Sequence, residues 1–177
     1  MPSTPPDPHR GATPPRGRAR PGIRPATAAD HGALFEAFAR IVDAKEGFPQ
    51  SPPLTRPEFD DYWIDHAAAV YVVPGGGEVI GAYYVKANFV GRAAHIANAG
   101  YFVVPPHRGR GIGRALVEHS LMAARDLGFD AMQFNLVFES NPARGMYRAL
   151  GFVEIGRVPR AVDGEDAVVY WRSLEDR

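Results

Sequence analysis

The chain has 177 residues, 45% of them hydrophobic, a size that suits one domain with a real core. It contains no cysteine, which excludes a disulfide framework, a thiolate zinc site and a cysteine nucleophile, and suits a reducing, cytoplasmic setting. Acidic and basic residues balance at 20 each, and every apolar run stops well short of the roughly 20 residues of a membrane span, so a soluble protein with no membrane partner is expected.

Charge is unevenly placed. Residues 1–21 hold Arg10, Arg16, Arg18 and Arg20 against Asp7, which leaves residues 22–177 mildly acidic. That is a poor electrostatic footprint for a nucleic-acid binder, and no nucleic-acid partner is expected. The opening "MPSTPPDPHRGATPPRGRARPG" has too few apolar residues to offset chain entropy and is expected to be a disordered tail. Its prolines oppose an amphipathic targeting helix, and it has no apolar signal stretch. Lysine occurs twice and arginine eighteen times, which reads as genomic base bias rather than a functional patch.

The folded part begins near Ile23. "IRPA" predicts a short strand, Thr27 with Asp30 resembles a capping box, and Leu34, Phe35, Phe38, Ile41 and Val42 recur at helical spacing. After a Pro-rich loop, "TRPEFDDYWIDH" predicts a second helix with Pro57 near its first position. "AAVYVV", "PGGGE" and "VIGAYYVKANFV" read as a β-hairpin, and "HIANAGYFVV" as a further strand. From Ile112 a third helix carries a stripe of Ala115, Leu116, Met122, Ala123 and Leu127 and stops at Gly128. "AMQFNLVF" is a strand, "NPARGMYRALGF" a short helix capped by Asn141, and "VEIGRVP" and "AVVYWRSL" are closing strands. The sum is a single α/β domain.

Between the fourth strand and the third helix lies "RGRGIG", with Gly109, Gly111 and Gly113 at every second position. Glycines there let backbone N–H groups converge on an anion at a helix N-terminus. An NTPase phosphate loop needs Lys-Ser/Thr after the last glycine, and Arg114-Ala115 stands there instead. A dinucleotide fingerprint needs different spacing at the first strand–helix turn. A glycine-rich turn without a ligand is the remaining alternative. No His/Asp/Glu cluster has metal-ligand spacing.

"VVPPHRGRGIGRAL" resembles the acetyl-CoA-binding motif of the GCN5-related N-acetyltransferases (GNAT), with Arg108, Gly111 and Gly113 meeting its pattern, and "NPARGMYRALGF" resembles the second block of that family. The resemblance runs from about Ile23 to Leu174. It implies a mixed, splayed central sheet flanked by about four helices, with acetyl-CoA as cosubstrate and direct acetyl transfer to an amine. Backbone N–H groups of Arg108, Gly109, Arg110, Gly111, Ile112, Gly113 and Arg114 would hold the coenzyme's pyrophosphate. Unpaired backbone groups near Phe102, Val103 and Val104 would pair with the pantetheine arm, with Val103 or Phe102 giving the oxyanion N–H. Asn141 would contact the pantetheine, and Tyr147 would give the leaving thiolate its proton.

The glutamate that many relatives carry on the fourth strand is missing, and that strand has Asn98 while the fifth has Asn135. Asparagine is depleted inside strands, so two on neighbouring strands ask for a reason: they satisfy nearby carbonyls, or they line an acceptor cleft. "HIANAGYFVVPPHRGRGIG", "FNLVFESN" and "GFVEIGRVP" are similar to the fungal acetyltransferases of azetidine-2-carboxylate and other proline analogues, and to their bacterial relatives. That likeness implies that Asn98 and Asn135 hold the substrate amine. An amide orients an amine without taking its proton. His95, His107, His119 and Glu139 have plainer readings as surface groups. A small amine is the expected acceptor; a protein N-terminus, a polyamine or an aminoglycoside, and a non-catalytic coenzyme A-binding module, stay open. Dimers are common among the proteins it resembles, which makes a homodimer an open expectation.

Overall fold

A computed structural model describes residues 22–175, and the expected N-terminal tail lies outside them. β1 (Arg24–Pro25) leads through a tight turn into α1 (His31–Asp43). The Asp30 carboxylate fixes that turn by accepting from the Thr27 N–H at 2.7 Å and the Thr27 hydroxyl at 2.8 Å while pairing with Arg24. Leu34, Phe38, Ile41 and Val42 are buried, as their spacing predicts. Thr55 and Glu58 build a second capping box at α2 (Arg56–Phe59). From there the chain runs on as a π-helical stretch, Asp60–Asp65, which turns Trp63 into the core and packs Tyr62 beside it.

The strands β2 (Ala69–Gly75), β3 (Glu78–Ala87), β4 (Ile96–Val103), β5 (Ala131–Phe138), β6 (Val153–Val162) and β7 (Glu165–Ser173) join β1 in one sheet of order β1-β2-β3-β4-β5-β7-β6. α3 (Ile112–Asp126) links β4 to β5, and α4 (Arg144–Ala149) links β5 to β6. Every neighbouring pair is antiparallel except β4 and β5. Those two pair in parallel only at Ile96 with Ala131 and Ala97 with Met132, and then part. The α/β fold with a mixed, splayed sheet and four helices is therefore as expected.

Each face of the sheet has its own core. Phe38, Phe59, Trp63, Tyr84 and Phe102 pack on the α1 and α2 side, and Tyr83, Leu116, Met132, Phe134, Tyr147 and Tyr170 pack on the α3 and α4 side. Two expectations are corrected. The buried stripe of α3 is Ile112, Leu116, Val117, Ser120, Ala123 and Ala124, while Met122 and Leu127 are exposed; a period of 3.6 from Leu116 reaches Ser120 and Ala123 and passes Met122 by. The fourth helix starts at Arg144 rather than beside Asn141, because Asn141 and Pro142 spend themselves on a preceding turn.

Candidate active site

The opening between β4 and β5 is set by strand register. At its two ends the β3–β4 ladder has the Asn88 N–H donating to the Ile96 carbonyl at 2.8 Å and the Val104 N–H to the Ile80 carbonyl at 3.0 Å, with no register shift between. Antiparallel alternation then commits the backbone groups of Asn98, Gly100, Phe102 and Val104 to β3, and turns those of Ala99, Tyr101 and Val103 toward the gap. Of the three residues expected to meet the pantetheine arm through the backbone, Val103 alone faces the gap, joined by Tyr101. Phe102 and Val104 contribute buried side chains behind it. The Val103 carbonyl receives the Arg108 Nε at 2.9 Å, and the Arg108 guanidinium also pairs with Glu46. Arg108 thus braces the loop against α1's exit instead of standing free in solvent.

The loop itself is shaped as its glycines predict. Gly109 and Gly111 have φ of +71° and +85°, where a side chain would be strained. The Arg108 N–H is spent on the Pro105 carbonyl and the Ala115 N–H on the Gly111 carbonyl. The N–H groups from Gly109 to Arg114 donate to no carbonyl of the described residues, and those of Ile112, Gly113 and Arg114 open α3. That is an anion cradle of backbone donors at the positive end of a 15-residue helix. The Arg114 side chain turns away to Glu118 at 2.7 Å.

On the β5 side, Tyr147 of α4 is 7% exposed, with its ring 5.0 Å from that of Phe134 and 5.9 Å from that of Phe152. Its hydroxyl has no hydrogen-bond partner among the described residues, and burial, helped by the neighbouring Tyr170, pushes the phenol pKa well up. The group therefore keeps its proton throughout the neutral range. Asn141 Oδ1 accepts from the Ala143 N–H at 2.9 Å, which leaves the amide nitrogen as its spare donor.

Asn98 and Asn135 are brought together, but through a third residue. Asn88, at the end of β3, accepts on Oδ1 from Asn98 Nδ2 at 3.0 Å and from Asn135 Nδ2 at 2.6 Å, and donates back to Asn135 Oδ1 at 3.1 Å. Gln133 donates to Asn135 Oδ1 at 2.9 Å. Asn98 Oδ1 takes no bond from the described residues, and neither does Gln133 Oε1. Asn135 and Leu136 form a bulge in β5, since Phe134 to Val137 faces Tyr170 to Val168 on β7, and a bulge of this kind re-aims a side chain beside a site. Asn88 lay inside the run "VIGAYYVKANFV" read as one strand and was not singled out there; β3 ends at Ala87, and the depletion of asparagine in strands that marked Asn98 and Asn135 is the signal that would have found it.

The other ionisable candidates are engaged elsewhere. Glu139 pairs with Arg157 at 2.7 Å, His95 contacts the Arg92 carbonyl at 3.0 Å, and His119 meets the Tyr83 hydroxyl on the α3 side of the sheet. No group of three or more His, Asp or Glu residues that could hold a metal occurs among the described residues, and no helix there is long and apolar enough to cross a membrane.

The model of the Acetyltransferase (GNAT) family matches residues 35–152. The chain belongs to that family. This N-acetyltransferase is 30% identical over 161 residues to N-acetyltransferase aca1 of Schizosaccharomyces pombe, a match covering 76% of the chain and 77% of the relative. It is similar to the solved GCN5-related N-acetyltransferase of Kribbella flavida, at 34% identity and TM-score 0.78, over 85% of this chain and 96% of that one. A Sinorhizobium meliloti phosphinothricin acetyltransferase, solved in complex with acetyl-CoA, shares the fold at TM-score 0.73 and 24% identity, over 86% of this chain and 87% of its own. Acetyl-CoA is the cosubstrate of the family, and the residues present suit it: a run of free N–H donors for its phosphates, parted strands for its arm, and a protonated phenol packed on β5.

Proposed function

We propose that this acetyltransferase delivers the acetyl group to the amine of a small amino or imino acid, which the Asn88, Asn98 and Asn135 cluster presents at the gap between β4 and β5. The observation that carries this reading is the bridged asparagine pair: two amides on opposite lips of the opening, joined through Asn88, with Asn98 Oδ1 left to accept an amine N–H. The cluster holds no carboxylate or imidazole, so it orients a neutral amine, and the proton leaves to water. As the N–C bond forms and the C–S bond breaks, the Val103 or Tyr101 N–H supports the developing oxyanion and the Tyr147 hydroxyl donates to the departing sulfur.

A thiol's ordinary pKa of about 8.5 lies below a phenol's of about 10, and burial widens that gap for Tyr147. Its role is therefore hydrogen-bond donation to the thiolate, with solvent making up the proton. Asn141 and the backbone from Gly109 to Arg114 hold the coenzyme. The test is release of coenzyme A thiol from acetyl-CoA with azetidine-2-carboxylate, proline, ordinary amino acids, polyamines, an aminoglycoside and peptides offered separately; the missing cysteines keep the readout clean. Turnover confined to amino or imino acids supports the reading, and turnover confined to peptides or polyamines overturns it.

A further inference from the structure

One of the chain's two lysines stands beside this cluster. Lys86 lies directly across the β3–β4 ladder from Asn98, so the two side chains emerge on the same face, with their Cβ atoms roughly 5 Å apart. Its Nζ sits 4.5 Å from the ring centre of Tyr62 and 4.9 Å from that of Tyr84, and the two tyrosine hydroxyls bond each other at 3.1 Å. The rings hold the ammonium by its cation–π attraction and shield it from water. Lys86 makes no hydrogen bond or ion pair with the described residues. Asp61 acts on it only from a distance and is occupied with His66 at 3.2 Å. The half-buried ammonium thus keeps its three donors for solvent or a ligand.

We propose that Lys86, boxed by Tyr62 and Tyr84, binds the carboxylate of the acceptor, so that the enzyme selects amines carrying an acid group next to the nitrogen. This rests on the small-acceptor reading above. An α-amino or imino acid places its carboxylate on the carbon that bears the nitrogen, and such a molecule spans two cross-strand neighbours: nitrogen to Asn98 Oδ1, carboxylate to Lys86 Nζ. The face has no other cation in the box. A chain that uses arginine eighteen times has a lysine here, and a compact ammonium with rotatable donors fits between two rings where a planar guanidinium fork would have to stack on one of them.

The test compares matched acceptors, azetidine-2-carboxylate against azetidine and proline against pyrrolidine, by thiol release from acetyl-CoA. The wild type is expected to favour the acid of each pair in kcat/KM. Lys86→Gln is expected to lower that acid-to-parent ratio about ten- to hundredfold, chiefly through KM for the acid, the worth of a charge-assisted contact. Lys86→Arg is expected to recover part of it. Should Lys86→Gln fail to fold, judged by its thermal midpoint and acetyl-CoA binding, Lys86→Met keeps the aliphatic stem against both rings and reads the same ratio. A wild-type preference for the acid that the substitutions leave unmoved overturns the carboxylate role of Lys86 and leaves the amino- or imino-acid reading intact, whereas a wild-type ratio near one overturns both. Silence of the wild type toward every small amine defeats both.

Discussion

Replacing Tyr147 by phenylalanine separates chemistry from packing, because the hydroxyl and the ring do different things in this structure. The ring fills a pocket made by Phe134, Phe152 and Tyr170, with centroid distances of 5.0, 5.9 and 5.8 Å, and phenylalanine keeps all of it. The hydroxyl has no partner among the described residues, so its loss is expected to shift the urea midpoint by no more than about 1 kcal/mol of stability. In the proposed mechanism the same hydroxyl faces a thiolate. A hydrogen bond to a charged group is worth about 1.5–3 kcal/mol, which at 1.36 kcal/mol per decade corresponds to a fall of roughly 10- to 150-fold in kcat. The assay is steady-state thiol release at saturating acceptor with acetyl-CoA varied, together with direct acetyl-CoA binding. The expected pattern is reduced kcat with binding nearly intact. Burial raises the phenol pKa, so the group stays protonated up to at least the ordinary phenol value, and the wild-type kcat is expected to show no alkaline fall from this residue below about pH 10. A Tyr147→Phe enzyme with wild-type kcat refutes the donor role.

Three further outcomes are expected. Asn135→Ala breaks two bonds with Asn88 and one with Gln133, and is expected to raise KM for the amine tenfold or more (about 1.4 kcal/mol) while KM for acetyl-CoA moves little; damage confined to coenzyme binding sinks the cluster's role. Gly100→Ala would set a Cβ 2.7 Å from Tyr84 Cε1 and 2.8 Å from its hydroxyl, so the ring must move off Tyr62; a loss of about 1–3 kcal/mol in denaturant unfolding is expected, and wild-type stability contradicts it. Asp30 has its pKa depressed by the Arg24 guanidinium first and the Thr27 N–H next. A depressed carboxylate lends stability above its unfolded pKa, about 3.9, and loses it as pH falls through the folded value. Asp30→Asn is therefore expected to narrow the gap between thermal midpoints at pH 7 and pH 3, and an unchanged gap contradicts the assignment.

Local chemistry in the sequence was enough for the elements and for the shape of the glycine loop. Thr27 with Asp30 announces a helix start because a capping box closes within four residues, and Pro57 announces the next because its fixed φ suits a first helical turn. Gly109 and Gly111 announce a donor-lined turn because positive φ and open N–H groups are properties of a few consecutive residues. Even the two asparagines could be singled out, since each is out of place in its own strand. What depends on pairing was beyond reach. Which backbone groups face the gap follows from a ladder that commits Phe102 and Val104 to β3 and frees Tyr101 and Val103, and a shift of one residue would reverse that assignment. The start of the fourth helix hung on the turn that Asn141 closes by accepting from the Ala143 and Arg144 N–H groups, and the buried stripe of the third on which face meets the sheet. Asn88, Lys86 and Tyr62 come from a strand end, a strand and a π-helical turn, each unremarkable in its own segment. They come together only where the β3–β4 register sets Asn88 and Lys86 beside Asn98 and the fold lays Tyr62 against Lys86, because cross-strand neighbours are fixed by tertiary pairing and not by distance along the chain.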